Sequence, residues 1–473
     1  MITNKEKPNN KEELEQLLNP IVKKWFFSKF KDFSSSQLFG LMEVHSRNNL
    51  LLTASTGAGK TLTAFLSILN ELIDSSEKGI LQDKIYAVYV SPLKALNNDL
   101  HKNLIEPLQE MEKIAGKNFG IRISVRTGDT TANEKQKMLK NTPHILITTP
   151  ESLTILLASI KFSEKFKDVD WMIMDEVHAL CENKRGVHLS LVLEQLQNLS
   201  PGMCRVGLSA TIEPLNEVAQ YLVGNERDCK IVDIHNLKNM DLEVISPVED
   251  LVNNSYETIN KETFRLLDEL IQNHKTTLIF TNTRAGTERV VHNLKTVFPH
   301  KYKAIDDDTK EERDLIGAHH GSLSKEHRVN LENNLREGKL KAVVCSTSLE
   351  MGLDIGSIDL VICLGSPKSV ARVLQRIGRS NHQLNGITKG ILLVNERDDL
   401  VECSVLLKYA KERKIDRIHI PTNCLDVLAQ QIMGLALERI WEYKELYNLI
   451  KKSYCYKDLT KKDFDEVLDY LAG

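Results

Sequence analysis

Short apolar, β-branched runs recur along the chain at Leu50–Thr53, Tyr86–Val90, Ile145–Thr148, Trp171–Met174 and Val206–Ser209. Each is followed by polar or glycine residues and then by a helical period. A second series follows at Thr277–Thr281, Ala342–Ser346, Leu360–Leu364 and Ile391–Val394. Runs without polar alternation belong to strands buried on both faces, and their alternation with helices predicts parallel sheets. Two such series predict two α/β lobes. Periodicity breaks between Ile245 and Asn260, where Pro247 and Asn253-Asn254-Ser255 intervene. The expected division is a flexible tail over 1–24, a first lobe over 25–245, a linker over 246–262 and a second lobe over 263–415. Beyond about Asp399 the pattern is helical. Leu425, Leu428, Ala429, Ile432, Leu435, Ala436 and Ile440 form an apolar stripe at helical spacing, which needs a partner. A last helix is predicted from Lys461 to Leu471. Residues 416–473 are few for a domain, so the chain is expected to end inside one.

Composition narrows the class only slightly. With 41% hydrophobic and 27% charged residues, the 473-residue chain reads as an ordinary globular protein. No long uncharged apolar run predicts a membrane span. Met1 to Glu15 is polar and lacks an apolar signal core. The eight cysteines are scattered without a C-x-x-C pair, which predicts reduced, mostly buried thiols, no metal centre and a cytoplasmic setting, nucleoid-associated in a prokaryote. A net charge of −3 argues against a generally basic nucleic-acid binder but leaves room for a local groove. Asp306 to Arg313 reads as a solvated, charged insertion.

Candidate chemistry sits where the strands end. Ala54-Ser55-Thr56-Gly57-Ala58-Gly59-Lys60-Thr61 lies between a strand and a helix and reads as a phosphate-binding loop, with Ala54 where glycine is usual. Thr56, Gly57, Ala58 and Gly59 would cradle phosphates through backbone N–H groups, Lys60 would reach the β- and γ-phosphates, and Thr61 would hold Mg²⁺. Asp175-Glu176-Val177-His178 follows the apolar run Trp171–Met174: Asp175 suits Mg²⁺ coordination and Glu176 suits polarising the attacking water. Ser209-Ala210-Thr211 ends the following strand. The segments around Lys94, Arg126 and Gly128, and Thr149, and in the second lobe around Thr283 and Arg284, Ser322, and Thr347, offer hydroxyls, backbone donors or cations suited to a phosphate backbone. Each is also compatible with an ordinary turn or cap. His319 and His320 are neighbours on a strand and point to opposite faces, which predicts one packed and one surface histidine. Arg376 and Arg379 are three apart on a predicted helix and so share a face, the disposition of arginine fingers or of a solvated pair.

Taken in order, these motifs resemble those of superfamily 2 helicases with a DEVH form of the acid box. Thr148-Thr149-Pro150-Glu151-Ser152-Leu153, Lys184-Arg185-Gly186-Val187-His188-Leu189, Leu364-Gly365-Ser366-Pro367-Lys368-Ser369-Val370 and Leu425-Asp426-Val427-Leu428-Ala429-Gln430 resemble the Lhr (large helicase-related) family, above all its archaeal members. The resemblance implies two RecA-like lobes with ATP and Mg²⁺ between them, single-stranded nucleic acid across the top, and 3′-to-5′ translocation with duplex unwinding. It makes Gln37 the adenine-reading glutamine, assigns Gly352, Asp354, Arg376 and Arg379 to completing the ATP site, and lets His178 and Gln375 couple the lobes. It also makes the segment from about Pro421 the start of a winged-helix domain, with the family's further C-terminal part lacking here. Two positions depart from the general pattern: His382 stands where a final arginine is usual, a histidine that Lhr proteins share, and Asn381 stands where glycine is usual. The expected partner is single-stranded or tailed duplex DNA, with RNA open, bound by a monomer in DNA repair or recombination. A nucleic-acid-stimulated ATPase that remodels without unwinding, and an ATP-gated clamp, remain alternatives.

Overall fold

All the predicted apolar runs form strands. The computed structural model describes the chain except for residues 56, 93–99, 235–239, 306–311, 351–357 and 381–387. It divides into two compact units: Met1–Ala54, Ala58–His235 and Arg417–Gly473 in the first, and Asn236–Asp416 with Ser55–Gly57 in the second.

The first unit is built on an eight-stranded, all-parallel sheet. Its strands are β1 (Ile2–Asn4), β2 (Leu50–Ala54), β3 (Ala87–Val90), β4 (Ile123–Arg126), β5 (Ile145–Thr148), β6 (Trp171–Met174), β7 (Cys204–Ser209) and β8 (Cys229–Ile234), in the order β1-β8-β2-β7-β6-β3-β5-β4. Leu50, Leu51 and Leu52 are fully buried, as a strand covered on both faces requires.

The first 24 residues are not a loose tail. β1 pairs with β8, and helices α1 (Lys11–Leu17) and α2 (Pro20–Lys29) are capped by Asn10 and Asn19. Leu14, Leu18, Val22 and Phe26 recur every four residues and are buried in the core, a period hidden under a Lys/Asn/Glu-rich composition. Helices α3 (Ser35–His45), α4 (Lys60–Glu77), α5 (Pro150–Leu157), α6 (Val177–Cys181), α7 (Lys184–Leu199) and α8 (Leu215–Val223) are among the helices that cover the sheet.

The second unit begins earlier than expected. β9 (Met240–Ile245), assigned from sequence to the first lobe, is the edge strand of the second sheet and pairs with its neighbour over its whole length. Only Leu242 is fully covered, so its polar alternation is that of an edge. The expected linker also holds the first turns of α9 (Tyr256–Gln272). Onward run β10 (Thr277–Phe280), α10 (Arg284–Val297), a hairpin of β11 (Lys303–Ile305) and β12 (Glu312–Asp314), β13 (Ile316–His319), α11 (Lys325–Arg336), β14 (Ala342–Cys345), β15 (Leu360–Leu364), α12 (Val370–Ile377) and β16 (Thr388–Leu393). The sheet is all-parallel in the order β13-β14-β10-β15-β16-β9.

The C-terminal helices α13 (Leu425–Glu438), α14 (Tyr443–Lys451) and α15 (Lys461–Ala472) return to the first unit. The partner of the apolar stripe is α7: Leu428, Ile432 and Leu435 are buried in one core with Leu189, Val192 and Leu196, while Leu425, Ala436 and Ile440 are exposed. Gln431 donates to Gln195 at 3.2 Å, Ser190 and Ser453 share a hydrogen bond of 2.8 Å, and Asn225 N–H donates to Lys452 O at 2.9 Å. Gly224, at φ +81°, is required at this seam, because a Cβ there would lie 2.5 Å from Lys452 O. Leu428→Ala is expected to cost about 2–5 kcal/mol through lost burial and a residual cavity. Urea unfolding should show a lower midpoint, with earlier protease cleavage of the C-terminal helices; an unchanged midpoint would mean that this contact does not hold them. Seven of the eight cysteines are buried free thiols, and Cys424 is half-buried.

Candidate active site and nucleic-acid rim

β2, β7 and β6 are consecutive in the first sheet, so the loops that follow them are neighbours at its C-terminal edge although far apart in sequence. After β2 the chain turns through Gly57 (φ +79°) and Gly59 (φ +80°). Gly59 is the N-cap of α4 and supplies no side chain to its first turn, so the N–H groups there are open to an anion. Ala54 is the last residue of β2 and has no positive φ, which explains why glycine is not needed in the loop's first position. Lys60 Nζ folds back to donate to Ala54 O at 2.6 Å, and Ala58 is buried. Thr61 is half-buried in the first turn, and Thr56 lies outside the described residues. A Cβ on Gly59 would stand 3.3 Å from Ser34 Oγ, which places the start of α3 against the loop. Gln37 is buried there in a capping box: Ser34 N–H donates to Gln37 Oε1 at 2.7 Å, and Gln37 N–H donates to Ser34 Oγ at 3.4 Å.

At the end of β6, Asp175 is buried and accepts from Tyr89 O–H and from Glu176 N–H. Burial first, and then the Glu176 charge, push its carboxyl up to about 7. So buried a carboxylate beside Lys60 is suited to a divalent cation, and the Asp175 carboxylate and the Thr61 hydroxyl are hard oxygen groups that could hold one. Glu176 adopts φ +50° at the N-cap of α6, a left-handed conformation costing roughly 1–2 kcal/mol for a non-glycine residue. His178 Nε2 lies 3.4 Å from Glu176 Oε2. Its Nδ1 accepts from Ala210 N–H at 3.2 Å and lies 3.2 Å from Ser209 Oγ. A backbone N–H can only donate, so Nδ1 is unprotonated and Nε2 carries a proton toward Glu176. These bonds of His178 join the acid box to the loop after β7 within the first unit; Gln375 is half-buried on α12 in the second.

Of the remaining first-unit candidates, Thr211 follows β7, and the others belong to the next strands, β3-β5-β4. Arg126 ends β4 and accepts on its carbonyl from Thr148 Oγ1 at 2.7 Å. Its Nη1 is buried with no hydrogen-bond partner among the described residues, an unspent donor at the rim. Gly128 is exposed, Thr211 is half-buried, and Thr149 is buried as the N-cap of α5, accepting from Ser152 N–H at 3.4 Å. Lys94 lies outside the described residues. In the second unit the order β13-β14-β10 brings Ser322, Thr347, Thr283 and Arg284 to one edge, all exposed. Thr283 caps α10 through Gly286 N–H, and Arg284 Nη1 donates to Ser322 Oγ at 2.8 Å. The histidine expectation is corrected: His319 and His320 are both buried, each facing its own glutamate, Glu332 at 3.0 Å and Glu288 at 2.6 Å. No group of three metal-ligating side chains occurs among the described residues.

Arg376 and Arg379 are not a solvated pair; both are 2% exposed. Arg376 sits over the Phe280 ring at 5.2 Å with Nε 3.5 Å from Glu350 Oε1, and Arg379 Nη2 donates to Glu350 O at 2.9 Å. Asp416 accepts from Val370 N–H at 2.6 Å and Ala371 N–H at 3.2 Å and so fixes the start of α12, which carries Gln375 and Arg376. Gly352, Asp354, Asn381 and His382 lie outside the described residues. Sequence reasoning missed Tyr89, Glu350 and Asp416, which act on residues brought near by folding, and Ser34, which the Ser-x-x-Gln spacing of a capping box could have revealed.

Two parallel sheets, a phosphate loop opening α4 and an acid box ending β6 define the class: the RecA-like lobes of a superfamily 2 helicase. Family models agree. A DEAD/DEAH box helicase domain matches residues 35–218, a helicase conserved C-terminal domain 262–382, and the winged helix domain of large helicase-related proteins 408–473. The chain is 52% identical over 480 aligned residues to an ATP-dependent helicase Lhr-Core of Methanothermobacter thermautotrophicus, covering 100% of this chain and 55% of the relative. It is 54% identical to the Lhr-Core of Methanocaldococcus jannaschii, covering 98% and 54%. The solved structure of Mycobacterium smegmatis helicase Lhr bound to ssDNA and AMP-PNP superposes with a TM-score of 0.86 at 36% identity, over 96% of this chain and 57% of that one. The chain belongs to the Lhr family of helicases. It spans about half the length of the curated relatives it matches.

Proposed function

We propose that the chain is the motor of an ATP-dependent helicase that moves 3′ to 5′ on single-stranded DNA and separates DNA or RNA:DNA duplexes, in DNA repair or recombination. One observation carries the reading: His178 ties the acid box of the ATP site to the Ser209–Thr211 loop, so that hydrolysis chemistry and the nucleic-acid rim share a hydrogen-bond network. The relative solved with ssDNA and AMP-PNP supports both ligands. The N–H groups opening α4 and the Lys60 ammonium bind the triphosphate. Mg²⁺, held by Thr61 and Asp175, would neutralise charge on the β- and γ-phosphates. Gln37 borders the base, Glu176 takes the proton of the attacking water, and Arg376 and Arg379 carry positive charge for the transition state, with Gly352 and Asp354 completing the site. Lys94, Arg126, Gly128, Thr149 and Thr211, and then Thr283, Arg284, Ser322 and Thr347, contact the strand backbone. His178 and Gln375 transmit the nucleotide state, and the chain works as a monomer. Among the described residues no helix is long and apolar enough to cross a membrane.

The test is ATPase activity with and without single-stranded DNA or RNA, followed by strand displacement on tailed duplexes. Single-stranded DNA should raise turnover at least several-fold, and only 3′-tailed duplexes should be opened. Stimulation without displacement would replace unwinding by remodelling, and no response to any nucleic acid would sink the reading.

A further inference from the structure

The two adjacent histidines are absorbed by neither the ATP site nor the list of phosphate contacts. Their environments are specific. A backbone N–H can only donate, and Ser322 N–H points at His320 Nδ1 at 3.3 Å, so that nitrogen is an acceptor. The ring proton is therefore on Nε2, 2.6 Å from the Glu288 carboxylate. A carboxylate on one imidazole nitrogen fixes the tautomer and the ring plane and strengthens the other nitrogen as an acceptor, the role such partners have behind metal-bound histidines. The Ser322 hydroxyl in turn accepts from Arg284 Nη1 at 2.8 Å. Arg284 and Glu288 are four residues apart on α10 and lie on one face. One helix thus holds both ends of a relay running Glu288, His320, Ser322, Arg284.

The relay has a buried layer and an exposed one. His320 is 7% exposed, whereas Ser322 and Arg284 are open at the edge where Thr283 caps α10. His319 repeats the arrangement one residue earlier. Its Nε2 faces Glu332 at 3.0 Å and its Nδ1 lies 2.7 Å from Ser348 Oγ, next to exposed Thr347.

We propose that His320 is a positioning residue of the second unit's grip on nucleic acid: its neutral ring, anchored by Glu288, sets the Gly321–Ser322 turn so that the Ser322 hydroxyl and the Arg284 guanidinium present together to one phosphate of the bound strand. The proposal rests on the nucleic-acid reading above. A histidine that merely fills the core would depend on shape alone, whereas this one depends on which ring atom is replaced.

The experiment uses the whole chain with His320→Ala, His320→Asn, His320→Gln and Glu288→Ala. The readouts are the oligo-dT concentration giving half-maximal ATPase stimulation, kcat at saturating oligo-dT, KM for ATP and thermal unfolding. His320→Ala should raise the half-saturating concentration roughly 5- to 10-fold, the scale of one ordered hydrogen bond, with kcat and KM within about twofold. Asparagine places an amide oxygen near the position of Nδ1 and should restore most of the affinity. Glutamine keeps only the group facing Glu288 and should not. Glu288→Ala, at an exposed position, should keep the unfolding temperature and raise the half-saturating concentration about 2- to 3-fold. Unchanged affinity in His320→Ala, or equal losses in the asparagine and glutamine variants together with a lowered unfolding temperature, would overturn the assignment. A wild-type chain that binds no oligo-dT would overturn the nucleic-acid reading itself, which distinguishes the two failures.

Discussion

Replacing Glu176 by glutamine is expected to lower kcat for ATP by roughly 10²- to 10⁴-fold, the contribution of a positioned general base, with ATP affinity changed only a few-fold. Glutamine keeps the length and planarity of the side chain, so the left-handed backbone at φ +50° and the start of α6 are preserved. It loses the charge that receives a proton, and His178 Nε2–H then donates to an amide oxygen in place of a carboxylate oxygen. In the proposed site, nucleotide is held by the open N–H groups of α4 and by Lys60, which the change does not touch. Steady-state turnover and a fluorescent-nucleotide titration read the two quantities separately. Turnover within about tenfold of wild type would assign the base elsewhere.

Arg379→Ala is expected to reduce kcat by roughly 10³- to 10⁵-fold at saturating ATP and oligonucleotide, the range over which an arginine finger stabilises transition-state charge. The change also has a structural cost: the buried guanidinium donates Nη2 to the Glu350 carbonyl, and a hydrogen bond from a charged donor is worth about 1.5–3 kcal/mol. Arg376 is a poorer probe. It stands 3.5 Å from the buried Glu350 carboxylate, so its removal leaves an uncompensated charge and mixes a folding defect of about 3–5 kcal/mol into any loss of rate. Thermal unfolding of the Arg379 variant alongside its kinetics separates the contributions, and normal turnover in a folded protein would remove Arg379 from the chemistry.

The strand runs were legible because a strand buried on both faces has to be apolar throughout, as Leu50-Leu51-Leu52 and Trp171–Met174 are. β1 and β4 escaped for the converse reason. Ile123–Arg126 is half-exposed and β1 is three residues long at an edge, so neither needs an uninterrupted apolar run. β9 fell in the wrong lobe because the expected boundary lies at the break in periodicity after Ile245, and a local break carries nothing about which sheet the preceding segment joins. The same limit applies to the site. The roles proposed for Lys60, Asp175 and Glu176 come from the sequence because phosphate, cation and water each demand a particular group at a strand end. Tyr89 holds Asp175, Glu350 holds the two arginines and Asp416 holds the start of α12, and any of several residue types could have done so.

The order of motifs along the chain, the apolar runs and the stripe from Leu425 to Ile440 were thus determined by sequence alone, since each reflects a local requirement of burial or chemistry. Tertiary structure decided the rest. It set β2, β7 and β6 side by side, gave the C-terminal stripe α7 as its partner, turned an expected tail into part of the core, and buried both histidines against glutamates on different helices. These outcomes depend on which distant surfaces meet, and complementarity between two surfaces is a property of the pair that neither segment carries by itself.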